Sequence, residues 1–255
     1  MSSIPVGANL SVSSEPIVVI GRGRLGTALA TSLRAAQHAV EGPLARGKAL
    51  PPAGTILLCV PDSQIATVSA AIPQDRIVGH CSGALPLNVI EPHDGFSLHP
   101  LITVTSATTS FAGVSCAVRA NSERTEAVCK HIAETLGMRP FIVSDDMRPL
   151  YHAAASLTSG YLIVVADLAA RVMARAGVPR EHLFPLIRAA IDNWTNSGLA
   201  ALTGPIARGD EVTVTSQREA LARYAPDALA VWDALTAETR DVVGREFRST
   251  GRPAT

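Results

Sequence analysis

Lysine is almost missing from this 255-residue chain: of 22 basic residues only Lys48 and Lys130 are lysine, and the other twenty are arginine. A mechanism built on a lysine amine therefore has two places at most to stand. An excess of either charge is also lacking, with 22 basic residues against 22 acidic ones. Split at Asp146, the chain carries ten basic and eleven acidic residues before and twelve and eleven after. A nucleic-acid binder needs a basic stripe or a basic half, so no nucleic-acid partner is expected. The four cysteines (Cys59, Cys81, Cys116, Cys129) contain no CxxC pair, which excludes the usual zinc and dithiol motifs and points to a reducing cytoplasm. Long hydrophobic runs are scarce. The most apolar stretch, Tyr161 to Ala166, is followed by Asp167 and Arg171, well short of the roughly 20 residues that cross a bilayer, so no membrane partner is expected. Residues 1–15 lack the basic and apolar regions of a signal peptide and are expected to form a flexible tail.

What is present is core material. Apolar residues make up 47% of the chain and charged residues 17%, the latter below the ~25% of ordinary soluble domains. The length is about 1.7 times the 150-residue unit typical of one domain, and two domains are expected. In the first part, short β-like runs alternate with helical patterns. Pro16 to Ile20 is apolar without alternation, as a parallel strand covered on both faces requires. Further strands are expected at Val40 to Leu44, Thr55 to Val60, Ile77 to Gly79, Gly95 to Leu98, Ser115 to Arg119 and Phe141 to Val143. Helices are expected at Leu25 to Ala36, after an N-cap at Asp62, and from Asn121-Ser122-Glu123 to Leu136 with Gly137 as its stop. Strands alternating with helices predict a doubly wound parallel sheet over 16–146. From 147 to 255 the texture is all-helical. Met147 to Ala176 reads as one helix of about 45 Å, followed by helical patterns at Arg180 to Asn196, Thr215 to Arg223 and Pro226 to Phe247. The stretch Ala153 to Ala170 is small or apolar on nearly every face, so the helix from His152 to Ala176 is expected to be buried in a homodimer.

Gly21-Arg22-Gly23-Arg24-Leu25-Gly26 matches GxGxxG directly after a strand and at the start of a helix, the context that gives this motif meaning. The first glycine permits a tight turn and the second lets backbone approach a pyrophosphate. The third lets helix and strand pack closely, while the helix N-terminus stabilises the anion. At the end of the second strand, where NAD readers place an acid, the chain reads Gly42-Pro43-Leu44-Ala45-Arg46-Gly47-Lys48. Arg46 and Lys48, with Arg22, offer positive charge for a 2′-phosphate. The expected cofactor is NADP(H); the alternative for the second-strand segment is a solvated basic loop.

Six segments, GRGRLG, CVPDSQI, GHCSGAL, SLHPL, YHAAASLTSGYL and LTGPIARGD, span nearly the whole chain and resemble the two-domain oxidoreductases with a Rossmann domain and a helical domain of the 6-phosphogluconate dehydrogenase type. Within that group the chain is most similar to a Rossmann-like NADP oxidoreductase family, with pyrroline-5-carboxylate reductase and 3-hydroxyisobutyrate, ketopantoate and prephenate dehydrogenases as relatives. The resemblance implies that Val60 and Pro61 of CVPDSQI lie against the cofactor and that His152 acts in catalysis. Ser82 and His99-Pro100 match features of the prephenate dehydrogenases. The hydroxyacid dehydrogenases of the group use a Lys early in the long helix and an Asn a turn later. Here that stretch is His152-Ala153-Ala154-Ala155-Ser156, and Gly160 stands where the closest family often has Asn.

His80, Ser82 and His99 all follow expected strands, and in an open α/β sheet the ligand crevice lies at the carboxyl ends of the strands. A histidine titrating near neutrality there can pass a proton while hydride moves. The structural alternatives are a backbone-bonded His99 ahead of Pro100, and a turn at Gly83 for His80 and Ser82. His152, Ser156 and Ser159 share one helix face at i, i+4 and i+7, as active-site residues or as a polar seam bonded to backbone. Arg208, in a Gly-flanked loop, suits a substrate carboxylate with its planar fork, and Asp210 orients it or caps the next helix. The spacing of His80, Cys81, His93 and His99 fits no zinc signature, and no metal is expected. The expected protein is an NADP(H)-dependent oxidoreductase acting on a small carboxylate-bearing ketone, imine or alcohol, with a nicotinamide-nucleotide-binding regulatory protein as the alternative.

Overall fold

Strand β1 (Ile17–Ile20) has all four residues buried, and its neighbours divide by parity. Ile17 and Val19 pack into one apolar layer with Leu29 and Leu33, whereas Val18 and Ile20 pack into another with Ile56 and Ile65. Continuous apolarity in the sequence thus becomes one layer on each side of a sheet. The computed structural model describes residues 16–250; the expected tail at 1–15 lies outside them. The sheet has seven strands in the order β2-β1-β3-β4-β5-β6-β7, with β2 at Val40–Leu44, β3 at Thr55–Leu58, β4 at Ile77–His80, β5 at Gly95–Pro100, β6 at Ser115–Ala120 and β7 at Arg139–Ile142. Helices α1 (Arg24–Ala35) and α3 (Glu123–Thr135) cover one face, and α2 (Asp62–Ala70) with the short helix Leu87–Ile90 covers the other. This is a Rossmann-like α/β fold.

Strands β1 to β5 are parallel, but β5 and β6 pair antiparallel, with Pro100 opposite Cys116. The doubly wound parallel sheet expected from the sequence is thus present, with one antiparallel pair in it. A parallel return needs a crossover of a dozen or more residues, usually helical, and the 101–114 connection contains no helix. It turns the chain back at the same sheet edge. The helix before Gly137 opens with a capping box as expected, Ser122 Oγ accepting from the Thr125 N–H at 3.2 Å and Thr125 Oγ1 from the Ser122 N–H at 3.2 Å. Asp62, by contrast, is the first helical residue of α2 rather than its cap, which is Pro61.

The chain divides into two compact units between Ser159 and Gly160, thirteen residues beyond the sequence boundary at 146. Helix α4 (Arg148–Ser156) goes with the sheet. Its first residue, Arg148, is fully buried and bonded to sheet residues, which is why the boundary moves. The run expected as one helix is helical throughout, with a π-helical turn at Leu157–Tyr161 followed by α5 (Leu162–Arg175). Over Asp145–Arg175 it is 31 residues long and contains an 18-residue window of mean hydropathy 1.5, long and apolar enough to cross a membrane by length and composition. The small residues flanking Tyr161 to Ala166 extend the apolar window beyond that six-residue core, which the sequence reading left out.

The second unit consists of α5, α6 (Phe184–Ser197), α7 (Glu211–Tyr224) and α8 (Leu229–Thr250), joined by short turns. Its interior is small, built on Leu221, Ala225 and Ala228 with Leu168, Val172 and Trp232. Many large apolar side chains stay exposed, among them Ile163, Val164, Leu186 and Trp194.

Candidate functional site

The strand order reverses between β1 and β3, and the crevice at such a switch point is where open α/β sheets bind ligands. The glycine loop fills that position, and its three glycines are needed for three different reasons. Gly21 has φ +121°, and a Cβ there would sit 2.2 Å from the Cys59 carbonyl oxygen. A Cβ on Gly26 would sit 2.0 Å from the Gly21 carbonyl oxygen. A Cβ on Gly23 would meet nothing within 4 Å, so this glycine leaves backbone open to the cleft. Gly23 also caps α1 without a side-chain bond, and no acid stands in the first turn. An anion thus finds free N–H groups and the positive end of the helix.

The cleft is about 410 Å³ and brings together Gly23, Arg24, Leu25, Val60, Pro61 and His99. A second hollow of about 660 Å³ lies past the end of β2, lined by Arg46, Lys48, Leu50, Gln64 and Val68 among others, with no carboxylate. Arg46 Nη1 donates to Gln64 Oε1 at 2.9 Å. Arg22 is exposed and lines neither hollow. The donor set fits a dinucleotide: an open backbone cradle at a helix N-terminus, with cations where an adenosine 2′-phosphate would lie.

His99 stands at the end of β5 and lines a further cleft of about 320 Å³ with Leu101, Thr103, His152, Ser156 and Ser159. Its Nδ1 is 2.7 Å from the Tyr151 hydroxyl, and its ring meets that of His152 edge-on at 6.0 Å between centroids. Gly83 makes room for this cluster, since a Cβ there would come within 2.8 Å of both histidine rings. Burial, helped by His152 and Arg148 and opposed by Asp62, pushes the His99 pKa down to about 4. The near-neutral titration expected of His99 is therefore corrected: at neutral pH its imidazole is uncharged. Burial also raises Tyr151 to about 12, which keeps the phenol protonated.

The expected face of His152, Ser156 and Ser159 does line one cleft, but its hydroxyls are occupied. Ser156 Oγ donates to the His152 carbonyl at 3.0 Å and Ser159 Oγ to that of Ala155 at 2.7 Å, the back-bonding usual for helical serine. Ser82 is built into a turn: its Oγ donates to Asp62 Oδ2 at 2.8 Å and accepts from the Ala84 and Leu85 N–H groups at 3.2 and 3.0 Å. His80 is fully buried, with Nδ1 accepting from the Ser82 N–H at 3.2 Å and Nε2 unpartnered. In the second unit, Asp210 caps α7 by accepting from the Thr213 N–H at 3.0 Å, and Arg208 is exposed in the preceding loop. Among the described residues no three of His, Cys, Asp or Glu gather as metal ligands.

Three residues of this site escape the sequence reading: Asp62, Tyr151 and Arg148. The guanidinium of Arg148 pairs with Asp145 at 3.0 Å, donates to the Ser82 carbonyl at 3.3 Å and bonds Ser97 Oγ. A signal was available, because Arg148, Tyr151 and His152 fall at i, i+3 and i+4 on one helix face.

Residues 114–239 match the family model described as Domain of unknown function (DUF2520). No curated protein matches. Among solved structures the chain is similar to a provisionally named NADP oxidoreductase of Bacteroides fragilis, with 23% identity over 89% of this chain and 98% of that one and a TM-score of 0.76. It is also similar to the protein TM1727 of Thermotoga maritima, at 23% identity, 90% and 99% coverage and TM-score 0.73. A third likeness is to the reductive aminase of Aspergillus terreus in complex with NADPH and ethyl levulinate, at 16% identity, 95% and 96% coverage and TM-score 0.66.

The depressed histidines generate a stability prediction. Burial, with Arg148 adding to it, also pushes His80 down to about 4. A histidine with its folded pKa below 6.5 contributes stability that is complete above the unfolded value and is lost as pH falls toward the folded one. For the fully buried His80 this is worth roughly 3 kcal/mol. Thermal unfolding midpoints should fall between pH 6.5 and pH 4, and His80→Gln should flatten that decline.

Proposed function

We propose that the chain is an NADP(H)-dependent oxidoreductase that reduces a small carbonyl compound or imine, or runs the reverse reaction on the alcohol or amine. The observation that carries this reading is the position of His99, which lines both the cleft at the glycine loop and the adjoining 320 Å³ cleft. Gly21 to Gly26 and the α1 N-terminus would hold the pyrophosphate, Val60 and Pro61 the nicotinamide side, and Arg46 with Lys48 the 2′-phosphate. The bound cofactor supplies hydride. The solved relatives support the cofactor, since the reductive aminase is named in complex with NADPH and a pyrroline carboxylate reductase of Plasmodium falciparum is named with NADP bound. Their names, with that of the imine reductase of Streptomyces aurantiacus, also favour a C=N substrate.

The chain's own residues handle the proton. With Tyr151 protonated and His99 neutral, the phenol donates to Nδ1 and leaves the hydrogen of His99 on Nε2. That N–H bonds the oxygen or nitrogen that gains charge as hydride arrives, as a neutral imidazole can in a low-dielectric site. When it gives up its proton, Nδ1 takes the one from Tyr151, and the half-buried phenol, whose high pKa favours the protonated form, recovers its proton from water. His152 packs against this pair and helps keep it uncharged. No Lys or Arg lines this second cleft, so nothing in its lining calls for a carboxylate on the substrate.

NADPH should bind more tightly than NADH in a fluorescence titration, and Arg46→Ala should erase most of the difference; equal affinities in the parent protein would remove the NADP reading. With an imine or ketone that the protein turns over, His99→Asn should lower kcat by about 10²- to 10⁴-fold with little change in NADPH affinity, and Tyr151→Phe should cost less. Full activity in His99→Asn would end its role. NADPH binding without turnover of any 2-oxo acid or imine favours the regulatory reading instead. The exposed helices of the second unit should pair in a homodimer, which light scattering at micromolar concentration checks; a monomeric mass is the contrary result.

A further inference from the structure

We infer that Cys59 and Cys81 form a redox-sensitive dithiol that controls entry of the dinucleotide to the cleft; the inference rests on the cofactor reading above. Cys59 follows β3 and Cys81 follows β4, each one residue past the registered pair Leu58 and His80. Neighbouring strands lie about 4.8 Å apart, within the Cα separations of roughly 4.4–6.8 Å that a disulfide spans. The two sulfurs are 3.7 Å apart, and both residues line the cleft that contains Gly23. Of the four cysteines only Cys59 is not buried. Cys116 and Cys129 sit in the apolar layer beneath α3 and line no part of this cleft.

This arrangement has the two parts a peroxide-responsive pair needs, an accessible sulfur and a resolving sulfur beside it. A hydroperoxide transfers one oxygen to the Cys59 thiol and leaves as the alcohol, or as water from hydrogen peroxide, giving a sulfenic acid. The Cys81 sulfur then attacks Cys59 Sγ. The S–S bond forms, the S–O bond breaks, and hydroxide departs with the Cys81 proton as water. The two sulfurs together lose two electrons, and the peroxide gains them.

The bond reaches the cofactor site because Cys59 is the residue the glycine loop leans on. Its carbonyl oxygen abuts the Cβ position of Gly21, and its own Cβ lies 3.0 Å from that of Gly26. Drawing the sulfurs from 3.7 Å to about 2 Å pulls on this contact, and Gly21 and Gly26 have no slack to absorb it. The loop and the first turn of α1 then lose the shape that receives a pyrophosphate. By linkage, a bound dinucleotide protects the thiols as strongly as the disulfide disfavours the dinucleotide.

The test uses the full reduced chain treated with hydrogen peroxide, with and without saturating NADPH, followed by alkylation and peptide mass mapping. The expected result is one cross-link, Cys59 to Cys81, reversed by dithiothreitol and slowed by NADPH, with NADPH affinity weaker by about tenfold in the oxidised protein. Cys81→Ser should accumulate a dimedone-reactive sulfenic acid at Cys59, and Cys59→Ser should show the same NADPH affinity before and after peroxide. NADPH binding to the reduced chain with no cross-link after peroxide overturns the dithiol alone. A cross-link that leaves NADPH affinity unchanged overturns its control of the cleft. A reduced chain that binds no NADPH removes the cofactor reading and with it the gate, while the cross-link map still decides the dithiol.

Discussion

A guanidinium with no exposure to solvent holds the candidate site in place. Arg148 begins α4, yet its side chain lies inside the sheet unit, bonded to Asp145, to Ser97 Oγ on β5 and to the Ser82 carbonyl after β4. Burying a charge is costly unless it is paired and its hydrogen bonds are met. Here the partners come from two strand ends and the helix's own approach, so the cost is met only when β4, β5 and α4 occupy one arrangement. That arrangement carries Tyr151 and His152, one turn further on, to His99. The same charge also helps keep His80 and His99 unprotonated. Arg148 thus bears on the position of the histidines and adds to burial in fixing their protonation state.

Much of this was legible in the sequence because the responsible forces are local. The glycine spacing, the apolar run before it and the stop at Gly137 are backbone demands that a short window displays. The outcome at Gly21, Gly23 and Gly26 follows the motif residue by residue. What stayed hidden depends on non-local geometry. The reversal at β6 rests on a connection with no helix in it, and Asp62 passes for a helix cap until Ser82 arrives from another strand. Arg148 gives no sign in composition that it is buried, because charged residues almost never are unless paired. Its partners lie 51 and 66 positions away. The serines of the long helix show the opposite error, a face correctly grouped whose hydroxyls are spent on the helix backbone.

The helical run from Asp145 to Arg175 shows how far composition alone can mislead. Its length and apolarity satisfy a membrane span, and its exposed face invites that reading. Yet a helix that is apolar all round has two ordinary homes, a bilayer or the core of an assembly. Exposed apolar residues also occur on α6 and α7, at Leu186, Trp194 and Val212.

The scarcity of lysine finally bears on the chemistry. A lysine beside His99 would bring a charge that burial at that position disfavours, and a proton it holds until pH is high. This chain instead places an uncharged imidazole and a phenol in series, 2.7 Å apart, with burial lowering one pKa and raising the other. Neither group carries charge at neutral pH, so the site opposes no dinucleotide charge and needs no counter-ion of its own. In the proposed reaction a proton shared along such a pair would move without creating an isolated ion before hydride arrives. The buried arginine beside them is already satisfied by Asp145, Ser97 Oγ and the Ser82 carbonyl.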